Sequence, residues 1–231
     1  MALTPLVTAL LAEQIKLGAR IASMGYPDLI APPEMIAGIL GDRLPELKYR
    51  EDSVQIAKWH GLPSGSQVPD AASFFALQGA TLDVFDVAEI RGGEIIGDLN
   101  QTHWLWRERA GQYDFVLDVG TLEHCFNIGQ AALNVAGLLK EGGIIYHTNP
   151  HSGWGNHGFY SIHPTFYYDF YESNGFKVLG CLLFDRKNNL YQAPPHRRFT
   201  PNGDMNIYCS AQREKVKMLT YPTQRKYRPE A

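Results

Sequence analysis

The chain has 231 residues, 45% of them hydrophobic and 12% aromatic, enough apolar material for one well-buried core. Its 21 Lys and Arg against 24 Asp and Glu leave a formal charge of −3, so no overall field favours nucleic acid or anionic lipid, and a small molecule is the expected partner. No basic run precedes the first apolar residues and no window approaches the roughly 18 apolar residues of a membrane span, so a cytoplasmic protein is expected, with neither secretion nor membrane insertion.

In chain order, Leu6, Val7, Leu10, Leu11, Ile15 and Leu17 fall mostly on one helical face before Gly18, which predicts a capping helix over 6–17. Residues 19–24 read as a first short strand, ended by the turn-forming group Gly25-Tyr26-Pro27-Asp28. Pro32-Pro33, Gly41 and Pro45 make the following stretch irregular. Helices are predicted over 51–60 and, capped by Asp70, through Phe74, Phe75 and Leu77 to Gly79. Residues 1–18 and 29–79 are thus expected as cap or lid elements on a single domain spanning 1–231.

After Gly79 the period changes, and apolar runs at 81–87, 94–99, 113–119 and 143–147 predict core strands, each short and bounded by Gly, Asn or charged residues. Between the last two, residues 128–140 predict a helix terminated by Glu141-Gly142-Gly143, so strand, helix and strand form a parallel crossover. An aromatic helix over 163–174 follows, then runs at 176–184 and 205–211 that close the sheet as an antiparallel pair. The basic tail, 215–231, is expected to be an exposed arm. The predicted fold is α/β: a Rossmann-like, mainly parallel sheet with helices on both faces, an antiparallel strand near the C-terminus and an N-terminal helical cap or lid.

In an open parallel sheet, ligands bind outside the carboxyl ends of the strands. Gly25 follows the first predicted strand, Asp86 ends the second, Asp98 ends the third, and Asp118-Val119-Gly120-Thr121-Leu122-Glu123-His124 follows the fourth. Glycine permits close backbone approach, and a strand-end carboxylate accepts hydrogen bonds from a ribose diol or an adenine amino group. Together they describe an adenosine cradle.

Tyr113-Asp114-Phe115-Val116-Leu117-Asp118 with Gly120-Thr121-Leu122-Glu123-His124, then Leu138-Leu139-Lys140-Glu141-Gly142-Gly143, resembles the fourth and fifth strand region of class I S-adenosylmethionine-dependent methyltransferases. The resemblance covers about residues 19–211. It implies S-adenosylmethionine as cofactor, with Gly25 near its methionine part and Asp86 on the ribose hydroxyls. It further implies Asp98 and Leu99 flanking adenine, and Gly120 and Thr121 beside the methionine chain. The family's glycine-rich loop after the first strand has two or three glycines, whereas Ser23-Met24-Gly25-Tyr26-Pro27-Asp28 keeps one. Either the methionine carboxylate is bound differently here or the first strand lies elsewhere.

The segment 146–164 carries His147, His151, His157 and His163. Their spacings on a glycine-rich loop match no ligand pattern and no nearby carboxylate or cysteine completes a set, so no metal is expected. A histidine there can act as a general base, although a hydrogen bond to loop backbone is the plainer role for any one of them. Trp154, Phe159, Tyr160, Phe166, Tyr167 and Tyr168 can wall an apolar pocket whose π faces favour a sulfonium, with core packing accounting for at least half of them. Cys125, Cys181 and Cys209 lack paired spacings and read as reduced and buried. The catalytic candidates are His124, Asn149, His151, His157 and Tyr160, with Trp154 facing the cofactor.

The expected function is an S-adenosylmethionine-dependent transferase acting on a small molecule, by default methyl transfer by in-line displacement, whose rate comes from positioning in a dry pocket. One alternative is intramolecular cyclisation of the cofactor to azetidine-2-carboxylate and methylthioadenosine, motivated by the aromatic, acceptor-poor loop. Another is a noncatalytic nucleotide- or protein-binding domain, which the reduced glycine loop supports. A nicotinamide dehydrogenase is disfavoured because no Gly-x-Gly-x-x-Gly follows any strand.

Overall fold

A computed structural model describes residues 2–102, 104–187, 189–195, 197–201 and 203–228, in two compact units, Met1–Ile95 and Ile96–Ala231. The first unit opens with β1 (Ala2–Leu3), α1 (Pro5–Gln14), β2 (Arg20–Met24) and β3 (Asp28–Leu29), and β1 and β3 pair in parallel as a small sheet of their own. Thr4 caps α1 by accepting from the Val7 N–H at 3.4 Å, and Pro5 sits in the first turn, where its missing donor costs nothing. The helix stops at Gln14, short of the predicted end, because Ile15 is already extended at ψ 125°. Leu17, which completed the apolar pattern, is exposed.

The insertion folds as α2 (Pro33–Leu40), α3 (Ser53–His60) and α4 (Ala71–Leu77), with Ile36, Ile56, Phe74 and Phe75 buried. Asp70 caps α4 as the sequence predicts, accepting from the Ser73 N–H at 2.7 Å. Then β4 (Thr81–Asp86) pairs in parallel with β2, from Arg20 opposite Thr81 to Met24 opposite Phe85. The next predicted strand, 94–99, shrinks to β5 (Ile95–Ile96). Gly92 and Gly93 both hold left-handed conformations before it, and after it the Asp98 carboxylate folds a local turn by accepting from the Asn100 N–H at 2.8 Å.

The second unit continues with α5 (Trp104–Glu108), β6 (Tyr113–Asp118), α6 (Ile128–Leu138), β7 (Leu139–Ser152), α7 (Pro164–Ser173), β8 (Phe176–Asp185), β9 (Leu190–Gln192) and β10 (Met205–Arg213). Its strand order is β6-β7-β10-β8-β9, with β6 and β7 parallel and the remaining pairs antiparallel. The fold is therefore the predicted one: a Rossmann-like α/β sheet with helices, parallel in its earlier strands and antiparallel toward the C-terminus.

Two local differences shape the site. Glu141-Gly142-Gly143 does not end α6; the chain turns extended at Leu139, and Gly142, at φ 79°, lies inside β7 where the register against β6 skips from Tyr113–Leu139 to Phe115–Ile144. At its other end β7 continues through Pro150, a residue that cannot donate to a ladder. The register with β10 shifts there, between Met205 and Asn206, which accommodates the proline. Asn149 and His151 thus lie on a strand rather than on the predicted loop.

The tail is not a free arm over 215–228. Buried Asn174 exchanges two hydrogen bonds with the Thr220 backbone, at 2.8 and 2.9 Å, and Asp169 accepts from the Arg225 N–H at 3.1 Å. The end of the predicted arm, 229–231, lies outside the described residues. No helix among the described residues is long and apolar enough to cross a membrane.

Candidate active site

In the first unit the carboxyl ends of the paired strands β2 and β4 bring Gly25 and Asp86 to neighbouring positions. Gly25 turns the chain at φ 78°, and its N–H donates to the Phe85 carbonyl at 2.7 Å. That amide is held in the sheet, so what Gly25 offers a ligand is close backbone approach rather than a donor. Asp86 is half-buried and accepts from the Val87 N–H at 2.7 Å, which fixes the carboxylate at the strand end.

In the second unit a buried polar network forms where β6 ends beside β7. Their register places Asp118 beside His147. Asp118 Oδ1 accepts from the backbone N–H groups of Thr121 and Leu122, at 3.1 and 3.0 Å, while Oδ2 accepts from His147 Nδ1 at 2.6 Å and Asn149 Nδ2 at 3.1 Å. His147 Nε2 lies 2.5 Å from the Tyr171 hydroxyl. Burial holds the Tyr171 and Tyr167 phenols well above their usual range, so both stay protonated. Asn149 is almost fully buried; its second amide hydrogen goes to Glu123 Oε2 at 2.8 Å, and its oxygen accepts from Tyr167. With these partners its amide has a fixed orientation.

Glu123 is the end of this chain of contacts. It is 1% exposed, and Oε1 has no hydrogen-bond partner among the described residues. Burial, with the Asp118 charge beside it, pushes the carboxyl up to about 7. Two imidazole nitrogens stand near Oε1, His157 Nε2 at 3.6 Å and His124 Nε2 at 3.9 Å, both from half-exposed side chains. Burial, and then the neighbouring His157, lower the His124 pKa from its ordinary value. Two segments distant in sequence are tied together here, because the Glu123 carbonyl accepts from the N–H groups of Phe159 and Tyr160 at 2.9 and 3.2 Å. Gly158 allows that approach: a Cβ on it would lie 2.8 Å from the same carbonyl oxygen.

The structure therefore brings His124, Asn149 and His157 into one cluster, with Gly120 and Thr121 in the turn that links Asp118 to Glu123. The Asp98 side chain has partners of its own. Its carboxylate is engaged by Asn100 and Gln101, at 2.8 and 3.1 Å, and Leu99 beside it is buried with its carbonyl accepting from Asn134. His151 belongs to a second cluster, donating from Nδ1 to the Ile162 carbonyl at 2.9 Å and stacking on Phe199. Trp154 donates to the Met205 carbonyl at 3.2 Å, meets His157 edge to face, and carries the Arg186 guanidinium 5.0 Å from its ring centre. The Tyr160 hydroxyl donates to the Phe126 carbonyl at 2.8 Å. Cys125 is a buried filler as expected, its thiol pushed up to about 12 by burial and by Asp118, Asp98 and Glu123.

Asp118, Glu123 and Tyr171 are not among the site residues that the sequence suggests, while His147 and Tyr167 enter there only as one histidine and one aromatic of the segment around the site. Asp118 and Glu123 do stand in the motif that follows β6, and the signal in the sequence that points to Glu123 is a carboxylate in that motif, five residues past the strand end and able to meet the histidines of the next crossover.

No protein-family model matches the chain, and no curated protein matches it. Among solved structures, the 1,6-didemethyltoxoflavin-N1-methyltransferase of Burkholderia thailandensis, with bound 1,6-didemethyltoxoflavin and S-adenosylhomocysteine, is similar at a TM-score of 0.51 and 12% identity, over 90% of this chain and 76% of that one. A Galdieria sulphuraria protein described as a candidate sarcosine dimethylglycine methyltransferase is similar at a TM-score of 0.50 and 10% identity, over 90% of this chain and 83% of that one. At these identities the likeness shows the fold, which is that of class I S-adenosylmethionine-dependent methyltransferases.

Proposed function

We propose that the chain is an S-adenosylmethionine-dependent transferase acting on a small molecule, with methyl transfer by in-line displacement as its reaction. The observation that carries this reading is the network at the carboxyl end of β6, where it meets β7, the edge at which such sheets bind their ligands. There Asp118 and Asn149 orient a buried carboxyl group whose second oxygen is left open beside two histidines. A related fold holds S-adenosylhomocysteine, which supports the cofactor class.

The donor set of the first unit fits the cofactor's ribose: Asp86 is an acceptor fixed at a strand end, and Gly25 on the neighbouring strand has no side chain to obstruct it. When bound, the cofactor supplies a methyl group on a cationic sulfur. The protein's own contribution is orientation. Asn149 cannot rotate without abandoning Asp118, Glu123 or Tyr167, so the open face of Glu123 and the histidines beside it are presented to an acceptor in one geometry. Trp154 and Tyr160, each held by a backbone carbonyl, wall the segment that carries His157 and limit the access of water.

Asp86→Asn tests the ribose assignment. The variant keeps the shape but loses a charge-assisted acceptor, so calorimetric titration should show affinity for S-adenosylmethionine weakened by about 1–3 kcal/mol, roughly five- to 150-fold. Unchanged affinity would remove Asp86 from the ribose.

A further inference from the structure

We propose that Glu123, His124 and His157 form a binding site for a divalent first-row metal ion of the zinc class. One carboxylate oxygen of Glu123 and one ring nitrogen from each histidine all lie within 4.8 Å of one another. Oε1 is buried with no hydrogen-bond partner among the described residues, and it stands 3.6 Å from His157 Nε2 and 3.9 Å from His124 Nε2. Those separations are too long for a hydrogen bond, which needs about 2.7–3.2 Å. They are close to the roughly 3.4 Å between tetrahedral ligands bound to zinc at about 2.1 Å. The half-exposed histidines need only swing inward slightly to complete the set, while the carboxylate is already fixed.

The surroundings are built rather than accidental. Asn149 Nδ2 holds the other Glu123 oxygen at 2.8 Å and is itself held by Asp118, the kind of outer support that fixes a ligating carboxylate. The Phe159 and Tyr160 amides clamp the two segments at the Glu123 carbonyl, and Asn156 takes a left-handed φ of 60° immediately before His157. Asp118 and Glu123 are two buried carboxyl groups joined through a single amide, an arrangement that a cation at Oε1 would compensate. Two imidazoles and one carboxylate select zinc, cobalt, nickel or iron over magnesium and calcium, and three protein ligands leave a coordination position open. Sequence spacing argued against a metal because no carboxylate lay near the histidines of the 146–164 segment; folding brings one from the turn after β6. Metal binding at these residues goes beyond the transferase reading and does not depend on it.

The test is titration of the tag-free, full-length chain with zinc(II) after removal of metals, repeated with cobalt(II) so that coordination is visible in the absorption spectrum. One equivalent should bind, with tetrahedral-type cobalt bands. His157→Ala and His124→Ala should each weaken binding at least tenfold with the metal-free melting temperature unchanged, whereas His163→Ala, which removes another exposed histidine, should leave it intact. Failure to bind zinc more tightly than about 10 μM, or binding that survives both His157→Ala and His124→Ala, would overturn the proposal and in the latter case mark an adventitious ion only. Neither result bears on the cofactor, whose binding is measured separately.

Discussion

Asp118→Ala is expected to cost about 3–5 kcal/mol of unfolding free energy, the scale of removing one member of a buried ionic network. Asp118 is fully buried, and its loss strands four donors at once: the Thr121 and Leu122 amides, His147 Nδ1 and Asn149 Nδ2. Each donor left dry contributes about 1–3 kcal/mol, offset as water enters the vacated space and the turn relaxes. Asp118→Asn should cost less, because an amide oxygen can still accept from the two backbone groups while His147 and Asn149 lose their acceptor. Urea denaturation followed by tryptophan fluorescence measures both, with the slope against urea unchanged. A loss under about 1 kcal/mol for Asp118→Ala would mean that the network is incidental to folding.

Gly158→Ala is expected to unlock the site locally while leaving the fold intact. The added methyl would lie 2.8 Å from the Glu123 carbonyl oxygen and 3.1 Å from His124 Nδ1. Backbone cannot yield as a flexible side chain can, since the same carbonyl accepts from the Phe159 and Tyr160 amides. Relief therefore requires the two segments to part, at a local cost of about 1–3 kcal/mol. Hydrogen exchange reads this directly: the Phe159 and Tyr160 amides should exchange roughly ten- to hundredfold faster, while the amides of β6 and β7 remain protected. Because a displacement of about 1 Å at reacting groups costs on the order of 10²-fold in rate, the variant should also be a poor catalyst. Unchanged exchange at both amides would show that Gly158 does not hold the segments together.

The strands of the fold were legible wherever an apolar run ended at a turn signal, as at 81–86 and 113–118. They were not legible where turn residues lie inside an element. Gly142 read as part of a helix end and the strand was expected to stop at 147, yet Gly142 and Pro150 are each absorbed by a register shift within β7, and only the partner strands decide that. Asp98 read as the last residue of a strand, but the strand stops at Ile96 and the short polar residues that follow fold the Asp98 carboxylate into a local turn. The candidate site divides the same way. Gly25, Asp86 and the stretch after Asp118 could be marked from sequence because position relative to a strand end is a local property. The meeting of Asp118 with His147 depends on strand register, and that of Glu123 with His157 on a backbone clamp between distant segments; neither is written in local spacing.

Calorimetric titration of the unmodified chain with S-adenosylmethionine decides whether the protein binds that cofactor at all. Saturable binding of one molecule per chain is predicted, with a dissociation constant in the range of about 1 μM to 1 mM typical of enzyme ligands. Absence of heat and of competition by S-adenosylhomocysteine up to about 1 mM would contradict it.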